Sequence, residues 1–130
     1  MAIAEGKKFD FALESEIATI IETFRFLEEN LLIVAETNEF SAVCPFSGLP
    51  DVAKVKVEYY PKGLRCLELK SLKYYYTSFR PVGIYQEAVT SRIFRDLQKV
   101  LHLDFDSIRV TTVYNTRGGI DVTCSIGGLK

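Results

Sequence analysis

A thiol and a carboxylate stand seven residues apart in the stretch Val43-Cys44-Pro45-Phe46-Ser47-Gly48-Leu49-Pro50-Asp51. Proline and glycine mark this stretch as a loop between two strand-like runs, and loops of that kind display reactive groups. Cys44 could serve there as a nucleophile, which requires a lowered pKa and access. Asp51, beside such a thiol, becomes a candidate general acid, because the product of nucleophilic addition needs a proton that a carboxylic acid within hydrogen-bond reach can supply. The plainer alternatives are a cysteine packed as a small hydrophobe and a solvated turn aspartate. Cys66 and Cys124, inside apolar or strand-like sequence, fit the packing alternative better than Cys44 does.

A second constellation is Glu68-Leu69-Lys70-Ser71-Leu72-Lys73-Tyr74-Tyr75. Lys70 and Lys73 could meet the phosphates of a dinucleotide as point charges. Arg117, in Thr116-Arg117-Gly118-Gly119, could join them. The competing readings are a charged helix face and a hairpin-turn arginine. Glu87, after Gln86, is either a first-turn acid that complements a helix dipole or a carboxylate accepting two N–H bonds from a guanine-like edge. Tyr74, Tyr75, Tyr76 and Phe79 could stack on a flat heterocycle, but read first as core and interface aromatics. No GxGxxG motif follows a strand, which excludes a Rossmann cofactor site.

The elements that must position these residues follow from periodicity. Residues 1–10 are polar. Residues 11–29 carry both a helical stripe (Ile17, Ile20, Ile21, Phe24, Leu27) and a β-branched run, so helix and strand stay open. Leu31–Thr37 and Phe40–Val43 read as a strand broken at Asn38-Glu39. Val52–Tyr60 alternates as a half-exposed strand, ended by the turn Pro61-Lys62-Gly63. Glu68–Phe79 has helical spacing and stops at Arg80-Pro81. Tyr85–Leu101 is the clearest helix, with Ala88, Ile93, Phe94, Leu97, Val100 and Leu101 along one face. Ser107–Tyr114 and Ile120–Ile126 alternate around the turn Asn115–Gly119 and form a hairpin. The order ββααββ predicts an α+β fold, an antiparallel sheet with two helices on one face. Such a sheet leaves edges to be covered or closed.

The totals bound the partners. A chain of 130 residues is the size of one domain, and its 48% hydrophobic and 25% charged residues are ordinary for a globular protein. A formal net charge of −1 gives no global field toward nucleic acid or an anionic membrane, so direct nucleic-acid binding is not expected. Three widely spaced cysteines and a single histidine, His102, argue against a disulfide framework and a zinc site, and fit a reducing cytoplasm. The N-terminus lacks the apolar core of a signal peptide, and no apolar run reaches the ~20 residues of a membrane span.

Taken together, Cys44–Asp51, Glu68–Tyr75, Ser78-Phe79-Arg80, Gln86-Glu87 and Arg117-Gly118-Gly119 resemble the short, one-module type of the nitrile reductases that convert 7-cyano-7-deazaguanine to 7-aminomethyl-7-deazaguanine. The likeness runs from about Ile21 to Gly127, leaving residues 1–20 as an N-terminal extension and 21–130 as a single catalytic domain. It implies the tunnelling fold, in which sheets close into a barrel by oligomerisation and active sites lie at subunit interfaces. It implies that Cys44 forms a covalent thioimide with the nitrile and that Asp51 donates the proton. By the same resemblance Leu67, Glu68, Leu69, Gln86 and Glu87 contact the substrate, while Lys70, Ser71, Lys73 and Arg117 face NADPH. The implied role is in queuosine biosynthesis, a tRNA modification. One departure stands out: the family normally has His-Glu where this chain has Gln86-Glu87, and glutamine cannot carry a proton near neutral pH. The family's occasional protective cysteine shortly after that glutamate is also missing, since Ala88 and Val89 stand there. The rival expectations are an amidinotransferase-like enzyme, using the same thioimide on a base already in tRNA, and a non-catalytic module for a purine-like ligand.

Overall fold

In the computed structural model, residue 11 and residues 13–130 are described. Four strands make the main antiparallel sheet: β2 (Ile33–Val43), β3 (Pro50–Tyr59), β5 (Ile108–Tyr114) and β6 (Thr123–Ile126), in the order β2-β3-β5-β6. Two helices, α1 (Leu69–Thr77) and α2 (Gln86–Leu101), lie between β3 and β5 in sequence. The expected ββααββ order is therefore that of the main sheet. A second sheet was not foreseen. β1 (Thr23–Arg25) pairs antiparallel with β4 (Arg65–Leu67), aligning Phe24 with Cys66. The ambiguous stretch before residue 29 thus resolves into a 3-10 helix, Glu14–Ile20, followed by a short strand. A three-residue strand such as Arg65–Leu67 is too short to announce itself by alternation.

Alternation explains β3. Ala53, Val55, Val57 and Tyr59 point inward and are at most 1% exposed, while Lys54 and Lys56 point to solvent on the other face. The inward side chains meet Ile108 and Val110 of β5 and the buried stripe of α2: Val89, Ile93, Phe94, Leu97 and Leu101. Burying each of these large side chains contributes roughly 1.5–3 kcal/mol. The stripe passes through Val89 and Thr90 rather than Ala88, which is exposed. α1 adds Leu72, Tyr75 and Tyr76, with Phe79 just beyond it. Phe40 of β2 packs against the rings of both Tyr76 and Phe79. These three aromatics are core residues, as their packing alternative required. Leu69, placed on the same helical stripe by spacing, is exposed instead.

The break expected at Asn38-Glu39 is a bulge within one continuous strand. Thr37 pairs with Val55 and Phe40 with Ala53, so β2 advances three residues while β3 advances two. The final hairpin forms, but β6 is shorter than expected. It begins at Thr123, and Ile120 makes only an isolated bridge to Arg117 across the turn. Ile17 enters the core, fully buried. Among the described residues no helix is long and apolar enough to cross a membrane.

Candidate active site

Cys44 follows the last residue of β2. Its N–H donates to the Leu49 carbonyl at 2.8 Å, and its carbonyl accepts from the Gly48 N–H at 2.9 Å. The loop it opens is thereby closed on itself, with Gly48 supplying a left-handed φ of 70°. Register puts Asp51 opposite Ala42, one inward position before Cys44. Cys44 and Asp51 are then diagonal neighbours on the helix-facing side, about 7–8 Å apart between Cα atoms by ladder geometry. The Cys44 thiol is held below the ordinary cysteine range, first by the Ser47 hydroxyl and then by the N–H groups of Ser47 and Phe46; burial and the Asp51 charge oppose the shift.

Asp51 is buried, and the Arg117 guanidinium reaches it from the β5–β6 turn, Nη1 to Oδ1 at 3.2 Å. The same nitrogen donates to the Pro50 carbonyl at 2.8 Å. The start of α2 completes this end of the sheet. Val43 donates to Val82 at 2.9 Å and accepts from Ile84 at 3.1 Å, so the segment before α2 runs beside the end of β2. The rings of Phe46 and Tyr85 meet edge to face at 5.8 Å. Gln86 and Glu87 follow directly, and the Tyr114 hydroxyl donates to the Gln86 carbonyl at 3.3 Å. Burial raises the Tyr114 pKa, and the charges of Cys124, Asp51 and Glu87 push it the same way. Cys44, Asp51, Gln86, Glu87 and Arg117 therefore share one end of the molecule. Sequence reasoning missed Ser47 and Tyr114. Ser47 could have been found as the hydroxyl three residues after the thiol.

The remaining predicted residues lie elsewhere. Glu68 is the N-cap of α1, its carboxylate accepting from the N–H groups of Lys70 (2.7 Å) and Ser71 (2.9 Å), which lowers its pKa. The Ser71 hydroxyl is engaged by backbone: it accepts from the Glu22 N–H at 2.9 Å and donates to the Glu68 carbonyl at 2.8 Å. Leu67 is buried, and its N–H donates to the Tyr59 hydroxyl at 3.0 Å. This anchors the cluster at the Tyr59 end of β3, with about 26 Å of strand between Asp51 and Tyr59. Lys70 lies over the Tyr74 ring at 5.9 Å. Lys73 and Arg80 border a groove of about 390 Å³ between α1 and the outer edge of β2, which Leu69, Val34 and Glu36 also line. Tyr76 also lines that groove, and its hydroxyl is buried without a hydrogen-bond partner among the described residues. One chain thus holds two clusters of candidate site residues that do not meet within it. Among the described residues, no three His, Cys, Asp or Glu side chains cluster to hold a metal ion.

Residues 50–128 match the family described as QueF-like protein. The whole chain is 53% identical over 131 residues to proteins of Thermotoga petrophila and Thermotoga maritima named NADPH-dependent 7-cyano-7-deazaguanine reductase, covering 94% of each. A protein of the same name from Caldicellulosiruptor bescii is 44% identical over 120 residues, which cover 89% of this chain and 88% of that protein. Among solved structures, the apo archaeosine synthase QueF-Like superposes with a TM-score of 0.63 at 24% identity, over 75% of this chain and 93% of that one, a likeness of fold. The chain belongs to the QueF-like protein family.

Proposed function

We propose that this protein is an NADPH-dependent nitrile reductase that converts 7-cyano-7-deazaguanine to 7-aminomethyl-7-deazaguanine through a thioimide on Cys44, supplying a precursor for queuosine in tRNA. The observation that carries the reading is a thiol with a lowered pKa beside a buried carboxylate, in a chain 53% identical along its length to reductases named for that reaction.

Cys44 gives its proton to Asp51 as its sulfur adds to the nitrile carbon. The C–S bond forms, one C–N π bond breaks, and the nitrogen gains a proton through Asp51. When bound, NADPH supplies hydride to the former nitrile carbon, two equivalents per substrate. Asp51 delivers the matching protons to nitrogen, and Cys44 leaves as a thiolate between the two reductions. Glu87 would hold the N–H edge of the deazaguanine from the Cys44 end, with Gln86 in a hydrogen-bonding role. The groove beside α1 would offer the cations of Lys73 and Arg80 to the phosphates of a dinucleotide, with the carboxylates of Glu36 and Glu39 on the same lining. Lys70 and Lys73 would hold the phosphates, Arg117 would reach them from the other half-site, and Ser71 would steady the turn that presents the lysines.

Leu67, Glu68 and Leu69 stand too far from Cys44 in the same chain to share its ligand. Their part in substrate binding therefore requires a second copy, and we read the protein as a homo-oligomer with sites between subunits. Two open sheet edges, β2 and β6, and the exposed Leu31, Leu32 and Val34 support that reading. A working thiol and three free cysteines suit a cytoplasmic setting.

The test is NADPH oxidation in the presence of 7-cyano-7-deazaguanine, with the intact mass of the enzyme–nitrile mixture measured separately without NADPH. A covalent adduct, and two NADPH consumed per nitrile, are expected. An adduct without NADPH consumption would overturn the reductase reading, and no adduct would overturn Cys44 as nucleophile.

A further inference from the structure

Asp51 faces a conflict of roles. A guanidinium 3.2 Å from a carboxylate favours its charged form, whereas a proton donor must be protonated. Arg117 is also poorly tied down. Its side chain is 44% exposed, and it rises from a turn in which Gly118 and Gly119 take φ of 58° and 77° with open space where a side chain would sit. Among the described residues, the other ionisable groups that feel the Asp51 charge are the Cys44 thiol of the β2–β3 loop and Tyr114 of β5. Glu87 of α2 and Cys124 of β6 act on Tyr114 in turn. Of all these only Arg117 is cationic, so its departure would leave Asp51 among groups that are neutral or negative.

We propose that Arg117 is a positioning residue that switches Asp51 between base and acid, pairing with it in the free enzyme and leaving it for the phosphates of the dinucleotide. This rests on the reductase reading. With Arg117 in place, Asp51 is ionised and takes the Cys44 proton as the C–S bond forms, then passes it to the nitrile nitrogen and ends ionised as it began. With Arg117 drawn to phosphate, Asp51 takes a proton from water and gives it to nitrogen as hydride reaches carbon. When the C–S bond breaks, nitrogen returns one proton to the Cys44 sulfur. A second hydride and a second proton then complete the amine. Carbon gains two hydrides, nitrogen gains two protons, and both side chains end as they started.

Calorimetry of NADP+ binding to the full-length protein near pH 6, in two buffers of different ionisation enthalpy, counts the protons. The wild type is expected to take up as much as about one proton per site on binding. That uptake should vanish in D51N, with binding retained, and in R117M, with binding weakened. A second readout needs no cofactor: the rate at which 7-cyano-7-deazaguanine forms its adduct with Cys44, followed by intact mass against pH. Its acid limb should move to higher pH in R117M, which lacks the guanidinium 3.2 Å from the carboxylate. Binding without proton uptake, equal uptake in D51N, or an acid limb that stays put in R117M would overturn the switch alone. Failure of the wild type to bind NADP+ would overturn the reductase reading and the switch with it.

Discussion

At the Asp51 end of β3 polar side chains from separate elements pair with one another, whereas at the Tyr59 end they are turned onto the backbone. Cys44, Asp51, Arg117, Tyr114 and the start of α2 meet at the Asp51 end: Arg117 spans the Asp51 carboxylate and the Pro50 carbonyl, and the Tyr114 hydroxyl reaches the Gln86 carbonyl. At the opposite end Glu68, Ser71 and Tyr59 each bond main-chain groups of their own neighbourhood. That bracing leaves Lys70, Lys73 and Leu69 projecting from a fixed helix start. The first end is equipped for bond making; the second is equipped to present a rigid surface to something else. On the proposed reading, one chain holds the front of one site and the back of another.

The strongest way to break this comparison is subunit mixing. C44A and E68Q, each made alone, are expected to lose turnover by 10²-fold or more, at order-of-magnitude precision, since one lacks the nucleophile and the other a charge-assisted contact. Co-expressed, the two should recover turnover, because some interfaces then combine an intact Cys44 end with an intact Glu68 end. No recovery in the mixed oligomer would mean that each chain works alone.

A smaller effect sharpens the structural half. Tyr59→Phe removes the acceptor for the buried Leu67 N–H, and denaturant unfolding should show a loss of about 1–3 kcal/mol. The Tyr59 pKa is pushed up to about 12, mainly by burial, so the hydroxyl keeps its proton at ordinary pH and the loss should be flat between pH 6 and 9. Thiol alkylation at Cys44 should be unaffected. If it changes as much as stability does, the two ends are not independent.

The mildest change belongs to the reactive end. Ser47→Ala deletes the leading cause of the lowered Cys44 pKa, so the pH midpoint of Cys44 alkylation should rise toward the ordinary thiol value. At pH 7 the reaction should slow severalfold, on the order of the lost thiolate fraction. An unmoved midpoint would assign the lowering to the loop N–H groups instead.

Much of this was legible in the sequence wherever a segment's period matched its surroundings. The alternation of β3 and the stripe of α2 announced themselves because one face of each is buried and the other wet. β4 did not, because three residues carry no period, and it exists only through its pairing with β1. The half of the site around Cys44 was readable as a local loop. Its partnership with Arg117 was not, because 73 residues separate Cys44 from a cation that only the hairpin register brings over Asp51. Equally hidden was that Glu68 and Cys44 sit at opposite ends of the sheet. Spacing along a chain carries no information on which way the next element runs.

The bulge between Thr37 and Phe40 has a consequence for heredity as well as shape. Asn38 and Glu39 are both exposed, and Phe40 and Ala42 resume the inward parity that Ala35 and Thr37 had before them. The extra residue is absorbed outside the two-residue period of the strand. Deleting Asn38 removes no reactive group and no core side chain. It would leave Phe40 two residues after Thr37, the spacing of a regular ladder, so Phe40 to Cys44 would keep both their partners and their faces. A lineage could therefore exchange either bulge residue for many others, or lose one of them, and still keep the thiol on its own side of the sheet.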